Sequence, residues 1–315
     1  MGYKLKDGEN NYLPASFLKE FVRYNYVPPG IDRSKDDVLN SIEKARMVFV
    51  RHKVKVRQGS SVDQLLSRAE REIRKSSGIP ARASDLQYVI ALTGLLIGLA
   101  DEKGLSIPLE RIAKSNMETS CIKPSQGKDA VWELSCMSTF QIGAMQTRLA
   151  EPDIVIDIGE GDYGVACKKV YSENSVEKCI AKGVKQIADA QMPGFIALNV
   201  DELLIPPRRS MYALDQETLR GILQGYAGDF ITRHLSTLQK YGQEGACDGF
   251  IVSATKVGWL LTTRQWVQVT VNLHAPMQSE TALGSVRLDK LGRLAANADG
   301  LEAWVAKVGG KAVGL

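Results

Sequence analysis

At 315 residues, with 44% hydrophobic and 24% charged side chains, the chain has the composition of an ordinary globular protein, long enough to bury a core as one elaborated domain or two. No low-complexity tract or repeat breaks it up, and its longest apolar run, Tyr88 to Ala100, falls short of the ~20 residues that a bilayer-spanning helix needs. The net charge of +4 is uneven: residues 1–128 carry 22 Lys and Arg against 15 Asp and Glu, and residues 129–315 carry 18 against 21.

A basic front half beside an acidic back half is expected if the first grips a polyanion and the second holds a cation; an uneven solvated surface gives the same numbers. The start, MGYKLKDGENN, lacks an apolar signal core, and Lys6 stands where myristoylation prefers Ser or Thr. The five cysteines, at 121, 136, 167, 179 and 247, form no CxxC pair and read as reduced thiols of a cytoplasmic protein.

In chain order, the first ~125 residues read as a mainly helical, basic domain. Asp36 and Asp37 open an amphipathic segment through Arg46, Ser61 and Gln64 cap another through Lys75, and Ser84-Asp85 introduces an apolar helix ending near Gly104. Between the first two, Arg51, Lys53, Lys55 and Arg57 alternate with valines from Lys53 onward, the pattern of a half-buried strand with a basic outer face. Such a face tracks phosphates, or it guards an exposed sheet edge. The turn at Lys123-Pro124 marks a boundary, with a second domain over 126–315.

That second part reads as a helix from about 129 to 149, a strand from Asp153, a tight Gly-rich turn, a strand holding Lys168, a helix from about 175 to 190 and an apolar strand over 195–200. A helix over 216–241, strand-like runs at 249–253 and 266–274, and a last helix over 289–307 follow. The pattern predicts a three-layer α/β domain with a mixed sheet. Two strands joined so closely are antiparallel neighbours, which brings Asp153 and Lys168 to the same end of a hairpin. Gly159, Gly161 and Gly164 spell GxGxxG, but they lead into a strand and carry Glu160 and Asp162, so they read as a hairpin turn and not as a dinucleotide site. His52, His234 and His274 are scattered, and neither a P-loop nor a GxSxG is present, which argues against zinc, nucleotide-hydrolysing and serine-hydrolase chemistry. Arg208 and Arg209, after Pro206-Pro207, read as a solvated loop.

Pro152-Asp153, then Ala166-Cys167-Lys168, a preceding helix bearing Glu133 and a following helix with Lys182-Gly183-Val184-Lys185-Gln186 come in one order over about 129–200. This stretch resembles the PD-(D/E)xK nuclease superfamily, which includes restriction endonucleases and Holliday-junction-resolvase-like enzymes. The resemblance implies a restriction-endonuclease-like core and Mg²⁺- or Mn²⁺-dependent hydrolysis of phosphodiester bonds, with DNA as the expected partner and restriction or anti-phage defence as the context. It implies Asp153, Glu133 and the Cys167 carbonyl as metal ligands, Lys168 as the group that orients or deprotonates the attacking water, and Gln186 reaching back to the site. Lys169 and Lys182 join the basic segment as phosphate contacts. A homodimer and a separate ATPase partner are compatible with such an enzyme.

One position departs from the pattern. Ala166 stands where the second carboxylate belongs, and a methyl group ligates nothing. Three readings stay open: the acid has migrated to Asp157, Glu160 or Glu177; the domain is a degenerate nucleic-acid-binding or assembly module; or a glutamate of a parent Val-Glu-Cys-Lys-Lys has been replaced by alanine.

Overall fold

The hairpin from Asp153 to Lys169 lies inside an eight-stranded mixed sheet, seen in a computed structural model that describes residues 3–4, 12–13, 19–21, 35–75, 83–143, 145–159, 161–204, 210–243 and 247–276, with 284, 286, 287 and 291 beyond them. Strands β1 (Tyr3–Lys4) and β2 (Tyr12–Leu13) pair with each other, and β3 (Lys19–Phe21) joins the sheet. Helices α1 (Lys35–Arg51), α2 (Ser61–Lys75), α3 (Ala83–Gly98), α4 (Ser106–Lys114) and α5 (Gln126–Ile142) follow. Next come β4 (Thr147–Ala150), β5 (Asp153–Asp157), β6 (Asp162–Lys169), α6 (Val176–Asp189) and β7 (Gly194–Asn199). The chain goes on through β8 (Met211–Ala213), α7 (Gln216–Arg233), α8 (Leu235–Gln243), β9 (Gly249–Leu260) and β10 (Gln265–Pro276). The expected helix over 289–307, Glu160 and the Pro206–Arg209 loop lie outside the described residues.

The sheet order is β3-β10-β9-β7-β6-β5-β4, with β8 also on β9. Strand β6 is antiparallel to β5 and parallel to β7, so both its edges are used and both its faces are covered. Its alternating side chains divide the interior. Tyr163, Val165 and Cys167 join a core with α1 to α5, and Ala166 and Val170 join a second core with α6 and α7. Helices therefore cover both faces, and the α/β class with a mixed sheet is as expected. The apolar stripes of α1 (Val38, Ile42, Ala45, Phe49) and α2 (Val62, Leu65, Leu66, Ala69) pack into the same cluster as α5 and β5; the boundary read at 125/126 coincides with the start of α5, where Ser125 caps the helix by accepting from the Lys128 amide. Among the described residues no helix is long and apolar enough to cross a membrane.

Several local readings need correction. The basic run is not a strand: α1 continues through Arg51, because Val48 and Phe49 extend its buried stripe. It ends where Lys53 turns to φ 57° and the Val54 amide reaches back to the Phe49 carbonyl at 2.9 Å, a left-handed helix stop of Schellman type. Residues 54–57 then form an irregular link; valine and charge still alternate there, but no strand among the described residues pairs with it. Helix α2 keeps its expected bounds, yet the Ser61 hydroxyl accepts from the Met117 amide and does not cap it. The helix read over 129–149 starts and stops earlier, and Thr147–Ala150 forms β4. The helix over 216–241 breaks at His234 into α7 and α8.

Close contact between β6 and β7 fixes the depth of Lys168 in the sheet. A Cβ on Gly194 would stand 2.3 Å from the Gly164 carbonyl oxygen and 2.7 Å from Ile187 Cδ1, so the parallel pairing tolerates only glycine there. Gly194→Ala is expected to destabilise the protein by about 3 kcal/mol, through overpacking against backbone. Urea unfolding checks this: the midpoint should fall with an unchanged slope.

Candidate functional site

Asp153 and Lys168 meet as the hairpin predicts. The β5–β6 register pairs Ile154 with Val165, and one step further it sets Asp153 opposite Ala166 on the face that α6 covers. Asp153 Oδ2 accepts from the Cys167 amide at 2.7 Å and from Lys168 Nζ at 2.8 Å. Lys168 Nζ also donates to the Cys167 carbonyl at 2.8 Å. From α6, Gln186 Nε2 donates to the Pro152 carbonyl at 2.8 Å and lies 3.5 Å from Asp153 Oδ1, while its Oε1 is buried without a hydrogen-bond partner. The Glu151–Pro152 peptide that leads into the site is cis. Ala166 is wholly buried between these groups, on the same face as both Asp153 and Lys168.

A second set of groups comes from α4 and α5. Glu133 is gripped by both ends of the Arg111 guanidinium, at 2.7 and 2.8 Å. Burial pushes its acid up to about 7; the Arg111 bonds oppose this, and the nearby negative charge of Asp153 adds to it. One turn earlier, Asp129 accepts from the Tyr171 hydroxyl at 2.8 Å, and burial raises its acid as well, against that bond and the positive charges of Arg111, Lys169 and Lys168. Helix α5 thus brings two carboxylates within electrostatic reach of the Asp153–Lys168 pair. Of the two, Glu133 alone has a role in the resemblance. Asp129 was legible as its i−4 neighbour on one helix face. Arg111 was not, because the sequence pattern offers no clear element between Gly104 and Lys123.

The remaining assignments divide. Cys167 offers its backbone to the site, while its thiol lies in the opposite core beside Cys136, and burial holds that thiol well above its ordinary range. Lys182 is exposed on α6. Lys169 is misassigned as a phosphate contact: its side chain points to the other face of the sheet, buried against Asn199 Oδ1 at 2.6 Å, with Asp201 and Glu202 at 3.7 and 3.8 Å. Strand alternation makes that reversal unavoidable once Lys168 faces α6. Lys53, Lys55 and Arg57 are exposed, but on the irregular link after α1, whose neighbours are at the end of α3: Arg51 pairs with Asp101 at 2.6 Å and His52 bonds the Ala100 carbonyl. Of the acids expected to replace the missing carboxylate, Asp157 lies at the far, turn end of β5, holding the Gly159 amide, and Glu177 opens α6 paired to Lys240 at 3.0 Å. Glu177 is nine residues before Gln186, roughly 13 Å along a helix, and its carboxylate is engaged by Lys240.

The donors around Asp153 suit a hard divalent cation in kind: one carboxylate, the Cys167 carbonyl and the unpartnered Gln186 Oε1 are all oxygens. They fall short in charge, because Lys168 already neutralises the lone carboxylate and Arg111 occupies both oxygens of Glu133. Accordingly, no cluster of three or more His, Cys, Asp or Glu able to hold a metal occurs among the described residues. Comparison of the chain with protein-family models, with curated proteins and with solved structures returns no match.

Glu133 makes folding pH-dependent in a definite direction. Its folded-state acid binds a proton more tightly than the unfolded value of 4.5, so its contribution to stability is full below about pH 4.5 and is lost as pH rises to about 7. The loss amounts to about 3 kcal/mol at most. Denaturation midpoints measured from pH 4.5 to 8 should show this slope in the parent chain, and Glu133→Gln should flatten it to the share that Asp129 and Asp201, whose acids burial also raises, still contribute.

Proposed function

We propose that this chain carries a phosphodiester-hydrolysing site of nuclease type, acting on DNA, whose cation-holding set lacks one carboxylate at position 166. The observation that carries the reading is the Asp153–Lys168 contact of 2.8 Å across two antiparallel strands, with the small Ala166 between them on the same face. The order of elements the resemblance requires is present around it: helix α5, the β5–β6 hairpin, helix α6 and the parallel strand β7.

In such a site Asp153, the Cys167 carbonyl, Gln186 and a carboxylate at 166 would hold Mg²⁺ or Mn²⁺, which lowers the pKa of a bound water and relieves charge on the phosphate. Lys168 would orient the attacking water and stabilise the negative charge that develops on the phosphoryl oxygens, a role suited to a half-buried ammonium in a water-poor site. Arg111 holds the neighbouring Glu133 in place and offsets its charge, which limits the crowding of like charges around Asp153. As it stands, the chain binds nucleic acid and cleaves it very poorly, since misplacing a reacting water by about 1 Å already costs about a hundredfold.

A second reading, a non-catalytic nucleic-acid-binding or assembly module, is favoured by the shortage of free carboxylates: Arg111 occupies both oxygens of Glu133, and Ala166 supplies none. One substitution separates the two readings. Ala166→Glu puts a carboxylate into a wholly buried position beside Asp153, so without a divalent ion it should lower the melting temperature, and added Mg²⁺ or Mn²⁺ should restore it. Ala166→Gln should be destabilised without that rescue. The Glu variant should cut plasmid DNA in a metal-dependent manner, and a further Lys168→Ala should abolish the cutting while leaving the metal rescue in place. Metal rescue with no cleavage of duplex or single-stranded substrates would favour the binding module, and absence of rescue would remove Asp153 from any metal site.

A further inference from the structure

Strands β8, β9 and β10 place three aromatic side chains in one row. Their registers pair Tyr212 with Trp259 and Trp259 with Trp266, so the three rings stand side by side across adjacent strands, on one face of the sheet. Their neighbours Ala213, Leu260 and Val267 turn to the core under α7, and a Cβ on Gly258 would stand 2.5 Å from Leu219 Cδ2 of that helix. The row therefore faces away from α7.

This row is not core. Tyr212 is the most exposed large apolar side chain among the described residues, at 71%, and Trp259 and Trp266 are partly exposed. Leu214 and Leu261, both exposed, extend the strip at the end of the sheet. They are held side by side there, because the Leu261 amide donates to the Ala213 carbonyl at 2.9 Å and the Thr262 amide to the Leu214 carbonyl at 3.0 Å. The two indoles pack edge to face with centroids 5.2 Å apart, which fixes their orientation. A contiguous apolar strip of this kind is costly to leave in water and marks a surface that meets a partner.

The charge around the strip selects that partner. None of the chain's 36 acids falls in residues 210–214 or 249–276, and Arg264 stands exposed in the turn between β9 and β10. The acids nearest in sequence are engaged elsewhere. Asp215 and Glu217 begin α7 on the opposite face, where Asp215 accepts from the Thr218 amide and Glu217 pairs with Arg220. Asp248, at the far end of β9, is held by Tyr163 and Arg287. The rest of the rim, Thr262, Thr263 and Gln265, is neutral and polar. Five apolar side chains fall well short of the roughly 20–30 residues a side that a stable protein interface takes. Rings in a row on an open sheet face, with a cation and no acid at the edge, suit unpaired bases, which stack on the rings while a phosphate meets the cation. We propose that β8, β9 and β10 bind single-stranded nucleic acid, with about two or three bases stacked on Tyr212, Trp259 and Trp266 and one phosphate at Arg264. The row and the Asp153–Lys168 pair lie on opposite faces of the sheet, so binding here does not depend on hydrolysis there.

Fluorescence anisotropy of a labelled oligothymidylate with the full chain tests this, in EDTA so that no cation-dependent cleavage intervenes. The oligonucleotide should bind with a Kd of about 1 to 100 µM, the range of sequence-independent contacts. An abasic oligomer of the same length keeps every phosphate and should bind at least about tenfold more weakly. Tyr212→Ala should weaken the oligothymidylate about tenfold in a protein that melts as the parent does, and Tyr212→Phe should retain binding, since the ring and not the hydroxyl stacks. Neither change should alter the salt dependence, whereas Arg264→Ala should lower its log–log slope by about 0.7, the value of one phosphate contact on a single strand. Equal affinity for the abasic oligomer, or undiminished binding in Tyr212→Ala, would overturn the stacking row. A duplex bound through Tyr212 as tightly as the single strand would overturn the single-stranded partner. A proline-rich peptide bound through Tyr212, with no binding of the oligothymidylate, would overturn nucleic acid and assign the row to a protein.

Discussion

The contact between Asp153 and Lys168 depends on a single register. Strand β6 has an antiparallel partner on one edge and a parallel partner on the other, and each pairing fixes it independently. A slip of one residue would turn Lys168 toward α5 and Lys169 toward α6, and it would carry Val165 and Cys167 out of one core and Ala166 out of the other. With both faces buried, no such slip is tolerated. The ion pair is therefore a product of core packing before it is a product of charge, and its half-buried setting lets the Cys167 amide reinforce it.

This explains why the site's centre was legible and its surroundings were not. A carboxylate at the head of one apolar run, a lysine inside the next and glycines between them fix a hairpin whatever the tertiary context, and Gln186 lies on a helix whose amphipathic pattern is plain. The second group of charges depends on contacts distant in sequence. Arg111 reaches Glu133 only because α4 packs on α5, and α4 is a nine-residue helix that opens at a loop without a side-chain cap. Strand β4 was absorbed into the preceding helix because Met145 to Leu149 continues its apolar spacing; only pairing with β5 decides for strand.

The basic run after α1 went wrong for a related reason. Alternating valine and lysine is the pattern of a half-buried strand, but it is equally what a short link shows when it lies along a helical core. Val54 is buried and the charges on either side are exposed, so the burial pattern was read correctly. What it lacked was a partner strand, and a sequence pattern does not supply one. The lysine pair 168–169 teaches the converse. Both were read as facing one polyanion, although strand geometry alone sends them to opposite faces.

Helix α5 lies on the Lys169 side of the sheet and presents two neighbouring stripes of its surface. Asp129 and Glu133 look toward the strand end where Asp153 stands, while Lys128, Trp132 and Ser135 line a cavity toward α3. The bond from the Trp132 indole to Ala197 pins the helix to the middle of the sheet. In mechanical terms α5 is one rigid beam with two sets of attachments. A shift or rotation that moves Trp132 off the Ala197 carbonyl also changes the distance from Glu133 to Asp153, so the packing of α5 on the sheet and the charge balance at Asp153 are not independent quantities.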